Sequence, residues 1–101
     1  MTMLHFYKYQ GAGNDFVVFD NRSGAINHQE PSWVQGLCNR RFGIGADGLI
    51  LLQSHPDFDF EMVYYNADGQ PSSMCGNGGR CAVAFAKKLG IISNETTFLA
   101  V

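Results

Sequence analysis

With 101 residues and a formal net charge of −2, the chain holds enough polypeptide for one domain and little for a complete metabolic enzyme. A hydrophobic share of 46% with 13% aromatics excludes a disordered chain, and seven scattered Lys and Arg leave no basic stripe for nucleic acid. No apolar run approaches the ~18 residues of a membrane span, and the first residues lack the layout of a signal peptide. Three cysteines, an odd number in a chain without an export signal, point to reduced thiols in the cytoplasm. His5, His28 and His55 are scattered and no C-x-x-C occurs, so no metal site is expected.

The aromatic-rich segment from Leu4 to Gln10 predicts a strand, broken by Gly11-Ala12-Gly13-Asn14, and Phe16 to Phe19 predicts a second. Asp20 to Gly24 is a turn cluster. Pro31 suits a first helical position, and Trp33, Val34, Leu37 and Cys38 recur at helical spacing, predicting a helix that ends near Arg40 or Arg41 with Cys38 in the core. Gly43-Ile44-Gly45-Ala46-Asp47-Gly48 matches G-x-G-x-x-G, but a dinucleotide fingerprint needs a strand before and a helix after it, and here that order is reversed. Leu49 to Leu52 is a continuous apolar run fit for a buried strand, and Phe58 to Tyr65 alternates as a half-buried one. Asn66-Ala67-Asp68-Gly69 supplies a tight turn with Asp-Gly as the hairpin pair, and Gln70 to Met74 is expected to return as a short strand. Thr96 to Val101 reads as a last strand. A largely antiparallel mixed sheet curled into a barrel around a central helix, an α+β fold, accommodates these elements better than a layered βαβ arrangement.

The chain is organised around Ser73 to Cys81, which runs directly into the apolar segment Ala82 to Leu89. That helix is apolar nearly all round, which predicts burial on most sides, with Lys87 and Lys88 complementing its C-terminal dipole and Gly90 capping it. Glycine at a helix entry gives up stability and allows close backbone approach to another group. The first turn carries unpaired N–H groups and the positive end of the dipole. A thiol placed there, such as Cys75, ionises more easily, from ~8.5 towards ~7 or below. The stretch therefore offers a basic sulfur beside an anion cradle, which suits chemistry next to a carboxylate. Cys81 sits within the helix among apolar neighbours and reads as core.

Four segments together, GAGNDF (Gly11 to Phe16), NRRFGIGADG (Asn39 to Gly48), YNADG (Tyr65 to Gly69) and CGNGGRC (Cys75 to Cys81), resemble diaminopimelate epimerase in order and spacing. The resemblance covers nearly all of the chain and implies that residues 1–101 form the N-terminal domain of a two-domain enzyme whose C-terminal domain is not in this sequence. It implies an isomerase of lysine biosynthesis, cytoplasmic and commonly homodimeric, that converts LL-diaminopimelate to meso-diaminopimelate without pyridoxal phosphate or metal. Two cysteines, one per domain, would work opposite faces of the α-carbon, and Cys75 would be one of them. Gly76 and Asn77 would offer backbone N–H groups to the α-carboxylate, and the Asn14 and Asn66 side chains would hydrogen-bond the substrate. Several members carry a substrate-contacting glutamine in the sixth place of the GxGxDQ-type segment, where this chain has Gly48. The partner cysteine and the Glu-Arg pair for the distal end would belong to the other domain, so the 101-residue piece is expected to be inactive.

Two rival readings stand beside this one. A proline or hydroxyproline racemase relative would share the thiol chemistry but tends to carry histidine where Asn77 stands. A non-catalytic amino acid-binding module would leave Cys75 inert. Asp15 and Asp68 read as turn and capping residues, and Arg80 as solvated.

Overall fold

The computed structural model describes residues 5–11, 13–24, 26, 30–71, 76–91 and 98–100, without the side chains of 76, 77 and 98–100. Five strands and two helices follow in the order β1 (Tyr7–Gly11), β2 (Asn14–Asp20), α1 (Pro31–Cys38), β3 (Gly48–Gln53), β4 (Phe60–Asn66), α2 (Gly76–Lys88) and β5 (Phe98–Ala100). The strands form one mixed sheet in sequence order, β1-β2-β3-β4-β5. Pairing alternates along it: β1 and β2 are antiparallel, β2 and β3 parallel, β3 and β4 antiparallel, β4 and β5 parallel. The sheet is thus evenly mixed where a largely antiparallel one was expected. The order leaves β1 and β5 at opposite ends, with no pairing between them among the described residues.

Two β-α-β units account for the parallel pairs: β2-α1-β3 and β4-α2-β5. Both step the same way across the sheet, but β2 and β4 run in opposite directions, so two right-handed crossovers must put their helices on opposite faces. The core is divided accordingly. Phe16, Val18, Ile50, Leu52, Phe60, Met62 and Tyr64 pack with Cys81, Ala82, Phe85 and Ala86 of α2. The alternate residues Val17, Phe19, Leu49, Leu51, Val63 and Tyr65 pack with Val34 and Cys38 of α1. A strand buried on both sides needs apolar residues at every position, which is why Leu49, Ile50, Leu51 and Leu52 form an unbroken run and are all fully buried.

Helix α2 lies against β1, β2, β3 and β4, so it is central to its face of the sheet. Phe85 anchors it, with its ring 4.9 Å from Tyr7 and 5.8 Å from Tyr9. It is not buried all round, however: Ala84, Lys87 and Lys88 are exposed, and Val83 is half-buried. Helix α1 stops at Cys38, earlier than expected, because Asn39 adopts an extended conformation and its Oδ1 accepts from the N–H groups of Arg41 and Phe42 at 2.9 Å each. The loop that follows folds back over the helix end. The N–H groups of Ile44 and Gly45 donate to the Leu37 carbonyl at 2.9 and 3.0 Å, and that of Ala46 to the Cys38 carbonyl at 3.0 Å. A Cβ on Gly43 would lie 1.9 Å from the Gly36 carbonyl oxygen. Gly43 and Gly45 of the G-x-G-x-x-G match therefore serve this close packing, a Cβ on Gly45 lying 3.1 Å from Arg40 Cα, while Gly48 opens β3.

After β4, the Gly69 N–H donates to the Asn66 carbonyl at 2.9 Å, and the Asn66 N–H donates to the Gln70 carbonyl at 3.0 Å. The turn's central pair is Ala67-Asp68, with Gly69 following at φ +87°, so Asp-Gly is shifted by one place from the expected hairpin pair. Of the short return strand, Pro71 makes an isolated bridge to Tyr65, and residues 72–74 lie outside the described residues.

Candidate active site

One end of the sheet gathers most of the residues that the sequence singles out. β2 and β3 begin there and β4 ends there, since β4 runs against both. Tyr9, Phe16, Gly48 and Asn66 form one row across β1 to β4. Asn14 lies just beyond it, paired with Gly11. By the two-residue period of a strand, Asn14, Gly48 and Asn66 share the face that carries α2. β4 and β5 are parallel, so α2 must run back against β4, and its first turn lies at this same end. Asn14, Asn66 and the opening of α2 at Gly76, from three distant segments, therefore stand at the same end of that face. Only the backbone of Gly76 and Asn77 is described, as the first two residues of α2. Cys75, the residue before them in the chain, lies outside the described residues.

The Gly48 position explains its residue. A Cβ there would lie 2.6 Å from Cε1 and 3.0 Å from the hydroxyl of Tyr64, and 2.8 Å from the Tyr65 carbonyl oxygen. Tyr64 starts one row below, opposite Ile50, and leans along the strand so that its ring tip fills the space above Gly48. Phe16 holds it from the side in an edge-to-face contact at 5.9 Å. No side chain fits at position 48 while Tyr64 holds this rotamer.

Beside Asn14 lies a clasp of charges that sequence reasoning missed. Asp15, expected to be a turn residue, instead accepts a fork from Arg40, with Nη1 at 3.1 Å and Nη2 at 2.8 Å. It also accepts from Lys8 Nζ at 2.9 Å and from the Asp47 N–H at 3.1 Å. Lys8 also donates to the Gly45 carbonyl. Asp47 Oδ1 accepts from Arg40 Nη2 at 3.0 Å, while its Oδ2 accepts from the Asp15 N–H at 3.1 Å and from Asn14 Nδ2 at 3.2 Å. The Arg40 fork, helped by Lys8, holds the Asp15 carboxyl well below the usual carboxylate range against the opposing effect of burial. The same contacts raise Arg40. Asp68 does behave as a turn residue, its Oδ1 accepting from the Gln70 N–H at 2.9 Å.

Cys38 and Cys81 are buried core residues, as expected, and neither forms a disulfide. Burial pushes the Cys38 thiol up to about 11, so it is no nucleophile at neutral pH. Arg80 is exposed.

The fold has a solved counterpart. Over 96% of this chain and 31% of the other, it superposes on the crystal structure of a Bacillus anthracis phenazine biosynthesis protein of the PhzF family, with a TM-score of 0.65 at 16% identity. The sheet and helices thus define a PhzF-like α+β fold. Within that class, the profile of the family described as "Diaminopimelate epimerase" matches residues 6–100, and the chain belongs to that family. It is 62% identical over 98 residues to the diaminopimelate epimerase of Flavobacterium psychrophilum, a match covering 97% of this chain and 38% of the relative. It is 60% identical over 83 residues to that of Chlorobaculum tepidum, covering 80% of this chain and 31% of the relative. The chain spans about a third of the length of these relatives. Among the described residues, no helix is long and apolar enough to cross a membrane.

Proposed function

We propose that this chain supplies one half of the active site of a diaminopimelate epimerase, an isomerase of lysine biosynthesis that interconverts LL- and meso-diaminopimelate in the cytoplasm. The observation that carries this reading is the placement of Asn14, Asn66 and the first turn of α2 at one end of one sheet face, in a member of this family. Cys75 is the acid–base group. Its thiolate takes the α-proton, the C–H electron pair remains on the substrate and spreads into the α-carboxylate, and a second thiol returns a proton to the opposite face. An amino acid α-proton is very weakly acidic, so the developing charge on the carboxylate must meet fixed donors. The N–H groups of Gly76 and Asn77 at the α2 entry supply them, reinforced by the helix dipole. The side chains of Asn14 and Asn66 hold the rest of the amino acid.

The second thiol and the groups that grip the distal end of the substrate come from a C-terminal domain, which closes on this one. In the complete enzyme the sheet closes into a barrel about α2, and two copies of the enzyme form a homodimer. No cofactor is required by this chemistry, since the thiols carry the proton and the amides stabilise the carbanion.

The test is a hybrid enzyme joining this chain to the C-terminal two-thirds of the Flavobacterium psychrophilum relative, assayed with LL-diaminopimelate in deuterated water. The expected product is meso-diaminopimelate with deuterium at the inverted carbon, lost in Cys75→Ser. Full turnover by Cys75→Ser, or by the 101-residue chain alone, would overturn the two-thiol assignment.

A further inference from the structure

We infer that Gln35 is a positioning residue: together with the first turn of α1, it holds the turn that carries Asn66, from the side of the sheet opposite α2. The inference rests on the reading above, in which Asn66 contacts the substrate, and adds the group that keeps Asn66 in place. Asn66 is the last residue of β4 and opens the turn. Its N–H donates to the Gln70 carbonyl at 3.0 Å, and its carbonyl accepts from the Gly69 N–H at 2.9 Å. Where the Asn66 backbone stands therefore depends on where residues 67–70 are held.

α1 holds them from below. Gln35 Nε2 donates to the Asp68 carbonyl at 2.7 Å. Gly69 lies so close to Pro31 that a Cβ there would stand 2.5 Å from the Pro31 carbonyl oxygen and 2.9 Å from its Cα. The Ala67 N–H is tied separately, to the Asp47 carbonyl at 3.1 Å. The support is itself fixed. Val34 and Cys38 are buried against the sheet, and the Trp33 ring lies 5.6 Å from that of Phe19. Just past the helix, Arg40 forks onto Asp15 at 2.8 and 3.1 Å and reaches Asp47 at 3.0 Å. The α1 segment is thus fastened to the turn after β4 and, through Arg40, to the start of β2, two places with β3 between them. Gln35 is exposed, so it adds little to the core, and replacing it separates support of the turn from stability of the fold.

The test is made in the hybrid enzyme. Gln35→Met keeps the length of the side chain and removes its donor. KM for LL-diaminopimelate is expected to rise about fivefold, the scale of one lost hydrogen bond, with kcat unchanged, because a contact made alike to substrate and transition state is loosened. Gln35→Lys restores a donor and is expected to return KM to the parent value. In an Asn66→Ala background Gln35→Met should have no further effect, since the side chain it positions is gone. An unchanged KM in Gln35→Met, a rise that persists in the Asn66→Ala background, or a KM in Gln35→Lys as high as in Gln35→Met would overturn the inference and leave the half-site reading standing. Parent KM and kcat in Asn66→Ala would overturn it together with the substrate contact assigned to Asn66.

Discussion

Replacing Asp15 by asparagine tests whether the charge clasp stabilises the fold. The carboxylate accepts four hydrogen bonds, two from the Arg40 fork, one from Lys8 and one from the Asp47 N–H. Its side chain is 20% exposed, but those of Lys8 and Arg40 are 35% and 59% exposed, so each ion pair must be discounted for screening by water. The Lys8 pair at the middle of the ordinary surface range and the charge-assisted bond from the Asp47 N–H at ~1.5 kcal/mol give about 2 kcal/mol. For a domain of this size that lowers Tm by roughly 10 °C. The sign with pH follows from the depressed Asp15 carboxyl. The folded state binds fewer protons than the unfolded one, so the contribution is full above the unfolded value near ~3.9 and is lost as pH falls through the lower folded value. Thermal unfolding of the parent chain and Asp15→Asn should show a constant gap from pH 5 to 7 that narrows progressively below about pH 4. Raising salt towards ~1 M should shrink the gap at pH 7. Coincident curves at pH 7, or a gap that survives undiminished into strong acid, would refute the electrostatic account.

Other substitutions probe the packing. Cys38, with its thiol pushed up to about 11 by burial, should resist iodoacetamide in the native chain at pH 8 and react on unfolding in urea, as read by mass spectrometry. Phe85→Ala removes a fully buried ring that touches both Tyr7 and Tyr9, and urea unfolding should show a loss of about 3–5 kcal/mol. Gly69→Ala would place a methyl 2.5 Å from the Pro31 carbonyl oxygen at a φ of +87°, and should cost at least about 2 kcal/mol in the same assay. Gly48→Ala meets the Tyr64 ring at 2.6 Å and the immovable Tyr65 carbonyl at 2.8 Å, and should cost about 1–3 kcal/mol.

The elements were largely legible in the chain, and their pairing was not. Pro31 and the spacing of Trp33, Val34, Leu37 and Cys38 mark α1, because a helix with one buried stripe prints its period directly. The unbroken runs Phe16 to Phe19 and Leu49 to Leu52 carried more than the antiparallel expectation took from them. A strand with one wet face alternates, and one that does not must be covered on both sides. Helices on both faces then follow, together with the parallel pairing of β2 with β3. The apolar look of α2 misled in the opposite direction: Ala84 adds to hydrophobic composition but loses little by facing water, so alanine-rich sequence does not report burial.

The site was legible as motifs and illegible as a place. Asn14 and Asn66 stand at strand ends, in segments that local pattern identifies only as turns, and the Asp15–Arg40 and Asp15–Asp47 contacts link residues 25 and 32 positions apart, beyond any periodic signal. The first parallel crossover sets Asp15 beside Arg40 and Asp47, and the second brings the opening of α2 to the same end of the sheet. Had β5 paired antiparallel to β4, no helix would have needed to travel back along the sheet between them. Because the pair is parallel, α2 has to start where β4 ends, at Asn66, and that is where the parallel strands β2 and β3 begin, at Asn14 and Gly48. The glycine-rich helix entry is thus delivered to the two asparagines by strand direction alone. Its glycines can then serve close backbone approach, because the register, and not their own helix propensity, sets where α2 opens.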